Sequence, residues 1–201
     1  MQKLRELSNQ VQVVFGAISK QFSKFQNERQ LPCPAECGAC CNKPDIEVTV
    51  LEMLPLALHL FDKGNAEELL VSLQAESGFA CKFFQRTALD GSRGGCSVYD
   101  FRPGVCRMFG VGGYTTKTGM ATLSICSRLK EMMPTQYAEA LIFTTQQRPP
   151  MMAEWQSRLT QLDFRMGTKR LPINLAVAKA LEHVLTAGYY SDLENEPIIA
   201  A

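Results

Sequence analysis

All eight cysteines of the 201-residue chain lie between Cys33 and Cys126, and four of them sit in the nine residues CPAECGACC. The other four, Cys81, Cys96, Cys106 and Cys126, fall where Gly91, Gly94, Gly95, Gly104, Gly110, Gly112 and Gly113 cluster and helical spacing disappears. Such a stretch buries too little apolar surface to hold itself by packing alone. Metal bound by thiolates would hold it, because coordination free energy appears only when the ligands converge and so acts as folding free energy.

Compartment decides whether those cysteines are bridges or ligands. The N-terminus, MQKLRELSNQVQVVFGAISK, is broken by charged and amide residues and lacks the apolar run of a secretory signal. The apolar stretch VLEMLPLALHLF carries Glu52 and Pro55 and falls short of the ~20 residues that cross a bilayer. The expectation is a cytoplasmic chain with no membrane partner, in which cysteines are thiols or metal ligands rather than structural disulfides.

The only histidines, His59 and His183, lie within apolar helical patterns and read as ordinary helix residues. The donor set is therefore all thiolate: Cys33, Cys37, Cys40, Cys41, Cys81, Cys96, Cys106 and Cys126. That favours zinc or an iron–sulfur cluster of the [4Fe–4S] type over calcium, magnesium or an imidazole–carboxylate iron. Spacing does not choose between them. Crowded thiolates and a basic middle lean toward the cluster. Adjacent side chains such as those of Cys40 and Cys41 point apart, so the pair fits two centres better than one, and eight thiolates divide into two sets of four.

Residues 81–130 hold eight basic residues against two acidic ones, Asp90 and Asp100, within a chain of net charge +1. Basic side chains there would compensate a negatively charged thiolate centre and lower thiol pKa values. Arg102 and Arg107, flanking Cys106, are the expected partners. No nucleic-acid-binding signature accompanies the charge, so nucleic acid is not an expected partner.

The rest of the chain reads as helix. Leu4, Leu7, Val11, Val14, Ile18, Phe22 and Phe25 recur every three or four residues, predicting a helix over 3–27 whose narrow stripe suits its own body or a second copy in a homodimer. Thr49 and Glu52 form a capping box for a helix with Leu51, Leu54, Leu58 and Phe61, which Pro55 either kinks or joins near its start. Asn65 caps another, which Gly78 would end. VGGYTT and MATLSI around Lys117, Thr118 and Gly119 predict a hairpin, and the segments near Cys81 and Cys96 a second. Helix returns over 134–188, ending at Gly188. The fold class is mainly α: one helix-rich domain over 1–201, built around an irregular cysteine-rich middle, 33–128, with short β-hairpins.

CPAECGACC, then CKFF, then GGCSVYDFRPGVCRMF, resembles the cysteine-cluster family called the putative zinc- or iron-chelating domain, with its CxxCxxCC signature, of which the YkgJ-like proteins are typical. The likeness covers about 33–128 and departs from the signature in having three residues between Cys33 and Cys37. It implies metal binding and leaves the metal as zinc or iron. Some relatives resemble S-adenosylmethionine-dependent flagellin lysine methylases linked with an iron–sulfur centre, which implies a methyltransferase-like alternative. Those enzymes are larger, and no glycine-rich strand-to-helix fingerprint or acid/base pair accompanies the cysteines here. Cys33, Cys37 and Cys40 also spell the C-x3-C-x2-C spacing of radical S-adenosylmethionine enzymes, but the flanks lack a strand–helix barrel pattern and Ala39 stands where those enzymes commonly place an aromatic residue.

Overall fold

The computed structural model describes residues 1–43, 46–75, 80–90 and 93–195. Gly78 and Gly91 lie outside the described residues. The first helix, α1 (Gln2–Glu28), follows its predicted stripe and buries Ser8, Val11, Phe15, Ile18, Phe22 and Phe25 within its own chain. Leu4, Leu7 and Val14 are only partly buried at its margin. Phe15, which the stripe omitted, takes a central place.

Helix α2 (Val50–Asp62) starts at the predicted capping box: Thr49 Oγ1 accepts from the Glu52 amide, and the Glu52 carboxylate accepts from the Thr49 amide at 2.9 Å. Pro55 falls inside the helix without ending it. Every side chain from Leu51 to Leu58 is buried, so α2 is the axle of the molecule, packed between α1 and the last helix, α9 (Ile173–Asn195). Helix α3 (Ala66–Ala75) leans on α9, and α7 (Met152–Leu162) on α1.

Helix α9 runs past Gly188, where its end was expected. An added Cβ at Gly188 would stand 2.6 Å from the Phe61 ring. The glycine is there for close approach of α9 to α2, in spite of its cost of about 1 kcal/mol in a helix interior.

Both α2 and α9 emerge from one antiparallel pair, β1 (Glu47–Thr49) with β6 (Arg170–Pro172), in which Val48 faces Leu171. Between them the chain forms the two predicted hairpins. One is β2 (Phe84–Arg86) with β3 (Gly94–Cys96), pairing Phe84 with Cys96; the other is β4 (Val111–Thr115) with β5 (Ala121–Ile125), turning at Gly119 with φ +84°. Gly113 lets β4 lie against the chain at Pro150, whose carbonyl accepts its amide at 2.8 Å. The short helix α4 (Gly104–Met108) links the hairpins. Two short pieces, α5 (Ser127–Met132) and α8 (Phe164–Gly167), flank the predicted α6 (Pro134–Gln146) and α7.

Apolar residues gather into two clusters. The larger joins α1, α2, α7 and α9 through Val11, Ile18, Leu54, Leu159 and Leu181. The smaller joins the end of α1 to β4, β5, α5 and α6 through Phe25, Leu31, Val111, Leu123 and Leu129. Among the described residues no helix is long and apolar enough to cross a membrane.

Candidate metal centre

The CPAECGACC loop is tied at both ends of its bend. Leu31, fully buried, anchors it to the end of α1. Glu36 and Gly38 take left-handed conformations, φ +53° and +57°, and fold the loop so that the Glu36 carbonyl accepts from the Gly94 amide at 2.9 Å. A Cβ at Gly38 would collide with the Phe84 ring, so glycine there serves both the turn and the contact.

Each later cysteine is delivered by a different element. The Cys81 amide donates to the Cys41 carbonyl at 3.2 Å. Asn174, in the first turn of α9, clamps both sides of Cys81: its Oδ1 accepts from the Lys82 amide and its Nδ2 donates to the Ala80 carbonyl, each at 2.9 Å. Cys96 comes from β3, and Cys106 from α4. The start of α4 is fixed by the buried Glu52, whose Oε1 accepts from the Gly104 amide at 3.0 Å. Cys126 stands at the N-terminal boundary of α5 without a side-chain capping bond, and its amide donates to the Gly110 carbonyl at 2.8 Å.

Cys40, Cys41, Cys81, Cys96 and Cys106 line one pocket of about 30 Å³, walled by Ile46, Met53, Phe83 and Ile173 and edged by Arg102. Cys33, Cys37 and Cys126 stand outside it. Neither histidine lines it; His59 instead stacks on Phe101 with ring centroids 4.5 Å apart. Among the described residues no three His, Cys, Asp or Glu side chains meet the spacing of an assembled metal site. The eight sulfurs are free of disulfides.

Burial favours the protonated form of Cys81, Cys96 and Cys106. It pushes the Cys81 thiol up to about 11 and raises Cys96 and Cys106 as well. Cys33 is also pushed up to about 11, by burial and by the neighbouring sulfurs. Cys40 goes the other way, down to about 6, because the Cys41 thiol donates to its sulfur; the same bond raises Cys41. Cys40 is thus the ready thiolate of the group. A cation in the pocket would reverse the burial penalty on the others, since its charge favours their ionised form.

Of the two arginines expected to supply positive charge, Arg102 does so. It edges the pocket and stacks 3.4 Å over the Tyr99 ring, and its charge opposes the rise at Cys33, Cys96 and Cys106 and adds to the fall at Cys40. Arg107 is attracted to Cys106 but spends its hydrogen bonds elsewhere, on the Arg102 carbonyl at 2.7 Å, on Ser19 Oγ at 2.9 Å and on the Asp100 carbonyl. Next to Cys106 on a helix it must point about 100° away, so it braces the turn before α4 against α1. Arg128 touches sulfur instead, donating to Cys37 Sγ at 3.3 Å and to the Cys37 carbonyl at 3.4 Å. Asn174, Glu52 and Arg128 are the site residues that spacing did not single out. Only Glu52 carried a signal, as half of a capping box.

The donor chemistry fits a thiophilic metal. Five sulfurs on a largely apolar wall that, among the described residues, carries no imidazole or carboxylate suit zinc or iron and offer nothing to a hard cation. Residues 32–127 match the family model described as CxxCxxCC, putative zinc- or iron-chelating domain. No curated protein and no solved structure matches the chain.

Proposed function

From a middle segment matched by a zinc- or iron-chelating family, we propose that this chain binds zinc or iron through cysteine thiolates, with Cys33, Cys37, Cys40, Cys41, Cys81, Cys96, Cys106 and Cys126 as the donors. One observation carries the reading: five cysteines from four separate segments line a single pocket on which, among the described residues, no other metal-donor side chain stands and the cationic Arg102 lies at the edge. Bound metal would supply the coordination energy that draws the loops together. The Cys41 thiol favours the thiolate of Cys40, and Arg102 would offset the negative charge that accumulates as further thiols ionise.

Pocket size bears on the choice of metal. About 30 Å³ compares with the ~10–15 Å³ that one water requires, so the pocket suits a single ion. Zinc held by four thiolates is the reading that follows. An iron–sulfur cluster is the second reading, favoured by the two arginines that face sulfur, Arg102 and Arg128.

Metal and acid-labile sulfide content, measured on protein purified without oxygen and without a metal-affinity tag, separates them. Zinc without sulfide or visible colour supports the first reading. Iron with sulfide and a broad band near ~400 nm selects the cluster, with S-adenosylmethionine binding as the next assay. Metal-free protein that takes up neither zinc nor iron under reducing conditions overturns chelation itself.

A further inference from the structure

Helices α1 and α2 pack together and leave a furrow open between them. Arg5, Ser8, Asn9 and Gln12 stand on one side of it, and Pro55, Leu58, His59 and Asp62 on the other. Each set follows the i, i+3, i+4, i+7 spacing that makes one helix face. Phe101, from the turn before α4, adds a wall, with its ring stacked on His59. The furrow holds about 220 Å³, below the ~300–1,000 Å³ of sites for drug-sized molecules, so it suits a smaller one. A buried serine lies in it. Ser8 is 5 % exposed, and the other buried polar side chains among the described residues are Thr49 and Glu52, which bond each other. No described residue hydrogen-bonds the Ser8 hydroxyl, not even the carbonyl one turn back that a serine within a helix commonly takes. Burying a hydroxyl without a partner is costly, which points to a use for it in the furrow.

Charge narrows the ligand. The one carboxylate and the one guanidinium among the described wall residues, Asp62 and Arg5, are bonded to each other through both carboxylate oxygens, at 2.6 and 2.8 Å. An entering ion finds its counter-charge already taken, so the furrow favours a neutral molecule. The walls are also of two kinds. Ser8, Asn9 and Gln12 can each donate and accept, as ligand hydroxyls do, whereas Pro55, Leu58 and Phe101 present carbon. A ring with hydroxyls around its edge and C–H bonds on its face meets both. We propose that this furrow binds a small neutral polyhydroxylated ring, a pyranose sugar or a cyclitol, with Ser8, Asn9 and Gln12 bonding its hydroxyls and Pro55, Leu58 and Phe101 against its face. Phe101 also lines the thiol pocket, so one side chain separates the two cavities. The binding does not depend on metal.

Saturation-transfer NMR on the full-length reduced chain tests this, with D-glucose, D-galactose and myo-inositol as probes and open-chain sorbitol as the control. The expected result is saturable binding of at least one ring, with Kd on the order of 1 mM, and none of sorbitol, which has the hydroxyls without the ring face. Gln12→Ala and Ser8→Ala should each raise that Kd about fivefold, the effect of one lost hydrogen bond. Ser8→Ala should at the same time raise the melting temperature, because alanine favours a helix interior and no bond within the protein is lost. Glu182→Ala, on α9 and outside the furrow, should keep the parent Kd. Gln12 is exposed, so its variant serves even if the buried one folds poorly. Sugars that act on the chain only as sorbitol does, by exclusion from protein surfaces, overturn the proposal. So does ring binding that either variant leaves unchanged; a Ser8→Ala chain with lower melting temperature and parent Kd would assign the serine to the fold.

Discussion

The helical frame and the cysteine-bearing loops are held by different means. In the frame, α2 is buried from Leu51 to Leu58 and meets Val177, Leu181 and Val184 among the buried residues of α9. Among the described residues from 80 to 110, the only large apolar side chains that are buried are Phe83 and Met108. The frame can stand on packing. The loops hang from it by a few polar struts, Asn174 to the chain around Cys81 and Glu52 to the start of α4, and under the proposed chelation the thiolates would complete the attachment. The difference teaches that, on the chelation proposed above, metal would be a fastener for one region and not the cement of the whole, unlike in small zinc modules that unfold entirely when stripped.

Stripping the metal tests that contrast most severely, since coordination in zinc-finger peptides contributes on the order of 10 kcal/mol. Hydrogen exchange should show the Cys81 and Gly94 amides, bonded to Cys41 and Glu36, losing protection while amides in α2 and α9 keep theirs. Loss of protection in both regions together would break the comparison. A cut in the frame should do the reverse. Leu54→Ala, at a fully buried position, should lower unfolding free energy by about 2–5 kcal/mol, with metal stoichiometry unchanged in the folded fraction.

Glu52 crosses the divide, because one carboxylate oxygen caps α2 and the other ties α4. Glu52→Gln presents an amide N–H2 to a backbone donor and should cost about 1–3 kcal/mol. It should also weaken metal affinity through the loosened helix that carries Cys106, read by competition with a chromophoric chelator. The smallest effect belongs to Arg5 and Asp62, paired at 2.6 Å on the surface of the frame. Arg5→Ala should cost under ~1 kcal/mol. Arg5 holds the Asp62 carboxyl below its usual range, so the pair's contribution is complete above the unfolded Asp pKa of about 3.9 and lost as pH falls below it. The variant's denaturation midpoint should therefore converge on that of the unaltered chain in acid, and metal content should not change.

Much of the frame was legible in the sequence. The stripe from Leu4 to Phe25 gave α1 within a residue at either end, and Thr49 with Glu52 gave the start of α2, because periodicity and caps are local signals. The hairpins at Gly119 and between Cys81 and Cys96 were equally local. The β1–β6 pair was not. Each strand is three residues long and its partner lies more than a hundred residues away, so no period announces it. Gly188 read as a stop because glycine ends helices more often than it admits a neighbouring ring. For the site, residue type marked the eight sulfurs and their all-thiolate character. It could not show that Arg107 turns away to brace α1 while Arg128 comes to Cys37, since that depends on helix phase and on loops meeting in space.

Asn174 carries one more consequence, in the order of synthesis. The clamp on Cys81 and one pocket wall, Ile173, belong to the first turn of α9. All eight cysteines precede that turn in the chain. At ~5–20 residues per second, a ribosome presents every thiol to the cell seconds before the wall behind Cys81 exists. Through that interval the loops have ligands but no backstop, and the pocket can close only once the last helix has left the exit tunnel and docked.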